Sequence, residues 1–145
     1  MKTISKIFLT LILIVITYQA FNYFTSEERK LKIIINRGKE AIEKEDLGKC
    51  MRYISQDYSD EYDQTYQSIK EDAREAFKKY DEINIWIRKR EIVLKDSEAE
   101  VNLGIIISLS SKETGLIKGQ EKLTLYFRKE NGCWRIIKAS PLRIR

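Results

Sequence analysis

The dipeptide Asn131-Gly132 constrains this chain more than any other stretch. A two-residue type I′ turn needs φ > 0 at both central positions, which asparagine and glycine tolerate and most residues do not. With these two as the loop, Glu130 falls opposite Cys133, Lys129 opposite Trp134, Phe127 opposite Ile136 and Leu125 opposite Lys138. Side chains alternate along a strand, so Leu123, Leu125, Phe127, Trp134 and Ile136 share one face. Tyr126, Arg128, Arg135 and Ile137 take the other. A sheet with one heavily apolar face must be covered, and the segments upstream are the only ones able to do it.

Those segments read as helices. Ser26 is placed to cap a helix whose stripe is Leu31, Ile34, Ile35, Gly38, Ala41 and Ile42. Its opposite face carries Lys32, Arg37, Lys39, Glu40, Glu43 and Lys44. Asp46 caps a second, short helix with Leu47, Cys50, Met51 and Ile54 inward. Asp60 is placed as the cap of a third, running to about Lys79, with Tyr62, Tyr66, Ile69, Ala73, Ala76, Phe77 and Tyr80 on its buried stripe. The period then changes to two. Ile83, Ile85 and Ile87 alternate with polar or large residues, and the phase is lost at Arg90–Ile92, the mark of a bulge or bend. After a turn at Lys95-Asp96-Ser97, Ala99, Val101, Leu103, Ile105, Ile107 and Leu109 form the cleanest alternation in the chain. Ser110 to Lys118 reads as a polar loop, and Pro141 ends or edges the last strand. The expectation is an α+β domain: three helices packed on a curved, four-stranded antiparallel sheet.

The N-terminus is different in kind. Ile7 to Tyr18 is almost wholly apolar and Ala20 to Phe24 extends it with aromatic residues. The 18 residues make about 27 Å of helix, just enough to span a bilayer. Cleavage after Ala20 would put the bulky Tyr18 at −3, and Tyr18, Phe21, Tyr23 and Phe24 resemble an interfacial belt. Residues 1–25 therefore read as an uncleaved signal or anchor helix and 26–145 as the folded domain. The expected location is the inner (cytoplasmic) membrane of a bacterium, single-pass, with the domain outside the cytoplasm.

Of 145 residues, 43% are hydrophobic and 34% charged, as in a folded protein, and the net charge is +5. Residues 83–145 contribute +6 and residues 31–82 contribute −3. Lysine and arginine alternate with glutamate along the strands, which describes a solvated sheet face guarded against aggregation rather than a nucleic-acid surface. There is no histidine, so the commonest general base and metal ligand is missing. Cys50 and Cys133 are the only cysteines; they lack zinc-site spacing and read as two buried or half-buried free thiols. No metal and no cofactor is implied.

The order of elements resembles the nuclear transport factor 2-like (SnoaL-like, cystatin-like) superfamily. The residues that carry the resemblance are Ala41 to Leu47, Ile54 to Tyr62, Ser97 to Val101 and Leu123 to Ile136, ending in Trp134-Arg135-Ile136. It covers about residues 27–140 and extends to small membrane-anchored bacterial members of unassigned activity. A glycine frequent just after the Asp57-Tyr58-Ser59-Asp60-Glu61-Tyr62 segment is Asp63 here, a departure touching only the local turn. The resemblance implies a cone with a pocket between helices and concave sheet, and pairing of two copies through the sheet. The fold hosts isomerases, dehydratases, adaptors and scaffolds alike, so it does not choose among them.

Two readings of the site follow. Asp57 and Asp60, with Tyr58 beside them, form a conceivable acid–base pair for a SnoaL-like isomerase or hydrolase of a hydrophobic small molecule. Equally, Asp60 caps a helix and Asp57 braces the turn before it. Calcium binding by Asp57, Asp60, Glu61 and Asp63 lacks the loop and glycine of a known site. Tyr53, Tyr62, Tyr66, Trp86, Phe127 and Trp134 are candidates to line a small apolar pocket. The inward positions of the sheet are all aliphatic or aromatic, which favours a non-catalytic, membrane-tethered binding or assembly module.

Overall fold

A computed structural model describes residues 2–142 of the chain, with side chains from 6 to 140. The contacts divide it into two compact units, residues 1–33 and 34–145.

The first unit is helical from Lys2 onward, and the helix α1 (Lys2–Glu43) carries on without a break into the second. Ser26 is therefore not an N-cap but a mid-helix residue. No glycine or proline lies between Met1 and Arg37, and each added helical residue gains a hydrogen bond at no nucleation cost, so one polar residue does not stop propagation. Thr10 and Thr25 hydroxyls donate back to the carbonyls of Lys6 (2.8 Å) and Phe21 (2.6 Å), which lets them ride inside an apolar helix. The side chains from Ile7 to Phe24 are exposed on every side. This helix is long and apolar enough to cross a membrane.

In the second unit α1 ends at a reversal in which Glu45 adopts φ +55° and the Asp46 amide donates to the Ala41 carbonyl at 2.9 Å. Asp46 then caps α2 (Leu47–Arg52) by accepting from the Lys49 amide at 3.0 Å, as its sequence position predicts. The third helix, α3 (Tyr66–Lys79), starts later than expected. Its cap is Thr65, in a reciprocal capping box with Ser68. Asp60 is occupied instead by a tight turn, accepting from the amides of Tyr62 (2.9 Å) and Gln64 (3.1 Å).

Four strands follow as an antiparallel meander in the order β1 (Glu82–Lys95), β2 (Glu98–Ser111), β3 (Gly115–Glu130) and β4 (Cys133–Leu142). The Ser110–Lys118 segment is thus mostly strand: Ser111 pairs with Gly115 and only three residues turn. Asn131 (φ +51°) and Gly132 (φ +78°) make the predicted turn, and Glu130/Cys133, Lys129/Trp134 and Phe127/Ile136 pair as predicted. Beyond Ile136 the register slips by one residue, so Leu125 faces Ala139 rather than Lys138. The slip puts Lys138 on the outer face, 5.4 Å over the Tyr126 ring.

A second irregularity sits in β1. Ile87 pairs with Ile105 and Lys89 with Gly104, leaving Arg88 as a bulge. A Cβ on Gly104 would lie 3.3 Å from the Lys89 Cβ, so glycine admits the close approach there. The core of this unit centres on Phe127, Val101, Leu103 and Trp134. Residues 53–59 lie along the free edge of β4: the Ile136 amide donates to Tyr53, and the Ser55 amide donates to Ile136, at 2.8 and 2.9 Å. That edge is thereby protected. Both cysteines are free, but Cys133 is exposed at the hairpin, not buried as expected.

Candidate functional site

Between the helices and the inner face of the sheet lies a cavity of about 500 Å³. Its floor is the alternation read from the sequence: Ile83, Ile85, Leu103, Ile105 and Phe127. Its roof is the stripe of α3, from Ile69 through Ala73, Ala76 and Phe77 to Tyr80, joined by Ile34, Gly38 and Ile42 of α1. None of the α3 residues is fully buried, because the wall they form faces open space rather than packed side chains. A Cβ added at Gly38 would meet nothing within 4 Å.

One charged residue lines this space. Lys39, assigned by its sequence position to the polar face of α1, is half-buried on the cavity wall, 2.8 Å from the Glu43 carboxylate. Burial alone would push Glu43 up, but Lys39 and the Ile85 amide, which donates to it at 2.8 Å, outweigh that and hold its pKa below the usual value. The Glu43 carboxylate is thus held in its charged form and answered by Lys39. The Cys50 thiol also lines the cavity; burial pushes its pKa up to about 11, so it stays protonated and inert.

The residues proposed from sequence scatter. Tyr53 and Phe127 line the cavity. Trp134 is buried in the core, Tyr66 is half-buried at the start of α3, and neither is among the cavity-lining residues. Tyr62 is 47% exposed, and Trp86 is 43% exposed on the outer face of β1 with Lys118 over its ring. Neither carboxylate lines the cavity. The Asp57 side chain is 80% exposed, its carboxylate 3.4 Å from Arg128 Nη2. Arg128 also binds Glu130 at 2.7 Å, and the Ser55 hydroxyl donates to the same Glu130 oxygen at 2.6 Å. That hydroxyl bond first, and Arg128 second, hold the Glu130 pKa below the usual range.

Asp60 and Tyr58 do meet. The buried Tyr58 hydroxyl donates to Asp60 Oδ2 at 2.9 Å and accepts from the Ala139 amide at 3.1 Å. Burial pushes the Tyr58 pKa upward, with Asp60 adding to it. For Asp60, burial is outweighed by the Tyr58 hydroxyl, the two turn amides and Lys138, and its pKa lies below the usual value. A general base active at neutral pH needs the reverse shift. Among the described residues, no group of three or more acidic or thiol side chains is arranged to hold a metal.

No family model matches the sequence, and no curated protein matches it. Solved structures do match the backbone. A nuclear transport factor 2-like superfamily protein from Salmonella enterica superposes with a TM-score of 0.73 over 81% of this chain and 91% of its own, at 13% identity. This is the nuclear transport factor 2-like fold. An uncharacterized protein of cystatin-like fold from Caulobacter vibrioides gives 0.68 over 81% and 89%, at 12% identity. Bd1075 of Bdellovibrio bacteriovorus gives 0.68 over 80% of this chain at 16% identity, and there the match spans 41% of the longer protein. In the nuclear transport factor 2-like frame, the 500 Å³ space lies between helices and concave sheet, where the sequence resemblance placed a pocket.

Proposed function

We propose that this chain is a non-catalytic, membrane-tethered binding module, held at the inner membrane by residues 7–24 with its second unit outside the cytoplasm. Its cavity takes an apolar ligand, or the apolar part of one. The observation that carries this reading is the lining: aliphatic and aromatic side chains around about 500 Å³, with a single charged residue already paired to Glu43. Such a wall gains roughly 25 cal/mol for each Å² of apolar surface that a ligand removes from water. An acid–base reaction would need a proton carrier on that wall, and Asp57 and Asp60 stand off it.

The test uses the full chain in phosphatidylcholine nanodiscs with radiolabelled 1-tetradecanol, counted against empty nanodiscs. Saturable binding that Ala76→Trp abolishes, with the fold retained, is the expected result. Uptake equal to that of empty discs refutes the reading. For the tether, a membrane-impermeant maleimide added to bacterial spheroplasts should label the exposed Cys133. Labelling only after lysis would put the second unit on the other side.

A further inference from the structure

The bulge at Arg88 does more than bend β1. Before it, Ile83, Ile85 and Ile87 share the cavity face; after it the inward register passes to Arg90, opposite Leu103. An arginine thus stands on the strand face that carries the cavity floor. Its Nη2 donates to Asn36 Oδ1 on α1 at 2.6 Å. Its Nε is buried and has no acceptor among the described residues, a state that folded proteins avoid unless something else accepts the bond.

Arg90 and Arg88 line a second hollow of about 400 Å³, together with Asn36, Glu40 and Trp86. This hollow and the apolar cavity share Lys39, Ile85 and Ile87 as walls. Lys39 is held by Glu43. Among the described residues, Arg88 and Arg90 are the cations of the hollow without a carboxylate partner, and the exposed Glu40 opposes them. A greasy compartment and a cationic one therefore lie wall to wall.

We propose that the two hollows form one site for a single-chain anionic amphiphile, its aliphatic chain in the cavity and its carboxylate or phosphate monoester head at Arg88 and Arg90. The proposal rests on the apolar-ligand reading and adds the head group. A guanidinium offers a planar fork of donors that matches either anion, and Arg90 Nε supplies one that is already desolvated. At about 30 Å³ per group the cavity holds roughly 15 methylene-sized groups, which sets the chain length.

The full chain in phosphatidylcholine nanodiscs is titrated with tetradecanoate, tetradecyl phosphate and 1-tetradecanol. At least one anion should bind about tenfold or more tighter than the alcohol. Which anion is favoured distinguishes a fatty acid from a phosphate-headed lipid. Arg90→Gln should erase that preference. Arg88→Gln, on an exposed side chain, should reduce the preference more weakly and serves where Arg90→Gln fails to fold. Alcohol binding with no preference for either anion, or a preference untouched by both substitutions, overturns the head-group assignment alone. Binding of none of the three overturns the cavity reading with it.

Discussion

The corner around Tyr58 and the cavity under α3 belong to the same unit, yet their atoms are matched in opposite ways. In the corner every polar group is answered: Asp60 accepts from a hydroxyl and two amides, and the Tyr58 hydroxyl both donates and accepts. Each partner is thereby driven further into its resting protonation state. In the cavity, apolar side chains from Ile69 to Tyr80 remain half-exposed, and Gly38 leaves room that nothing fills. Residues that look chemical in a sequence are structural when their bonds are complete, whereas unmatched surface is where a ligand can gain free energy.

Three substitutions and a pH series test that contrast. Phe127 is 1% exposed and serves as both core and cavity floor. Phe127→Ala should cost about 3–5 kcal/mol in urea unfolding; a loss below about 1 kcal/mol would show that the cavity already extends beneath the ring. Tyr58→Phe strips the Ala139 amide of its acceptor and Asp60 of a donor, and should cost about 1–2 kcal/mol while leaving 1-tetradecanol binding unchanged. Weaker ligand binding in that variant would erase the distinction between the two regions. On the cavity side the sign reverses. Gly38→Ala should stabilise by about 0.5–1 kcal/mol, since alanine favours a helix and its Cβ meets nothing there. Destabilisation would mean the space is not open.

The smallest effect is a pH dependence contributed by the polar corner and the Ser55–Glu130–Arg128 network. Asp60 and Glu130 both have depressed pKa values in the folded chain. Their contribution is present in full above the unfolded carboxylate range, about pH 4, and is lost as pH falls through the lower folded values. Asp60→Asn and Glu130→Gln should each flatten that acid limb of a thermal-melt series. Neither should alter the affinity for the uncharged alcohol at pH values where the protein remains folded.

Much of this architecture was legible residue by residue. Asn131-Gly132 and the alternation around it give the β3–β4 register as far as Ile136, and the β2 alternation from Leu103 to Leu109 marks the cavity floor. The α3 stripe reads correctly from Ile69 to Tyr80. Asp60 misleads because an acid ahead of an amphipathic stretch looks like a cap, while the Thr65–Ser68 box competes locally and wins. Lys39 misleads in the other direction. It sits at the border of the apolar stripe, and its i,i+4 partner Glu43 was the only sign that it could be drawn inward. The phase loss near Arg90 announces a bulge, but only strand pairing locates it at Arg88.

By itself, then, the sequence determined which residues turn, which alternate and which helix faces are greasy, because those depend on torsional preferences and periodicities of a few neighbouring residues. It also set apart an N-terminal stretch apolar on every side. Only the tertiary structure decided that the facing surfaces leave about 500 Å³ between them, and that a one-residue slip turns Arg90 inward beside it. A void is the mismatch between two surfaces brought together from distant parts of the chain. No local pattern encodes that difference.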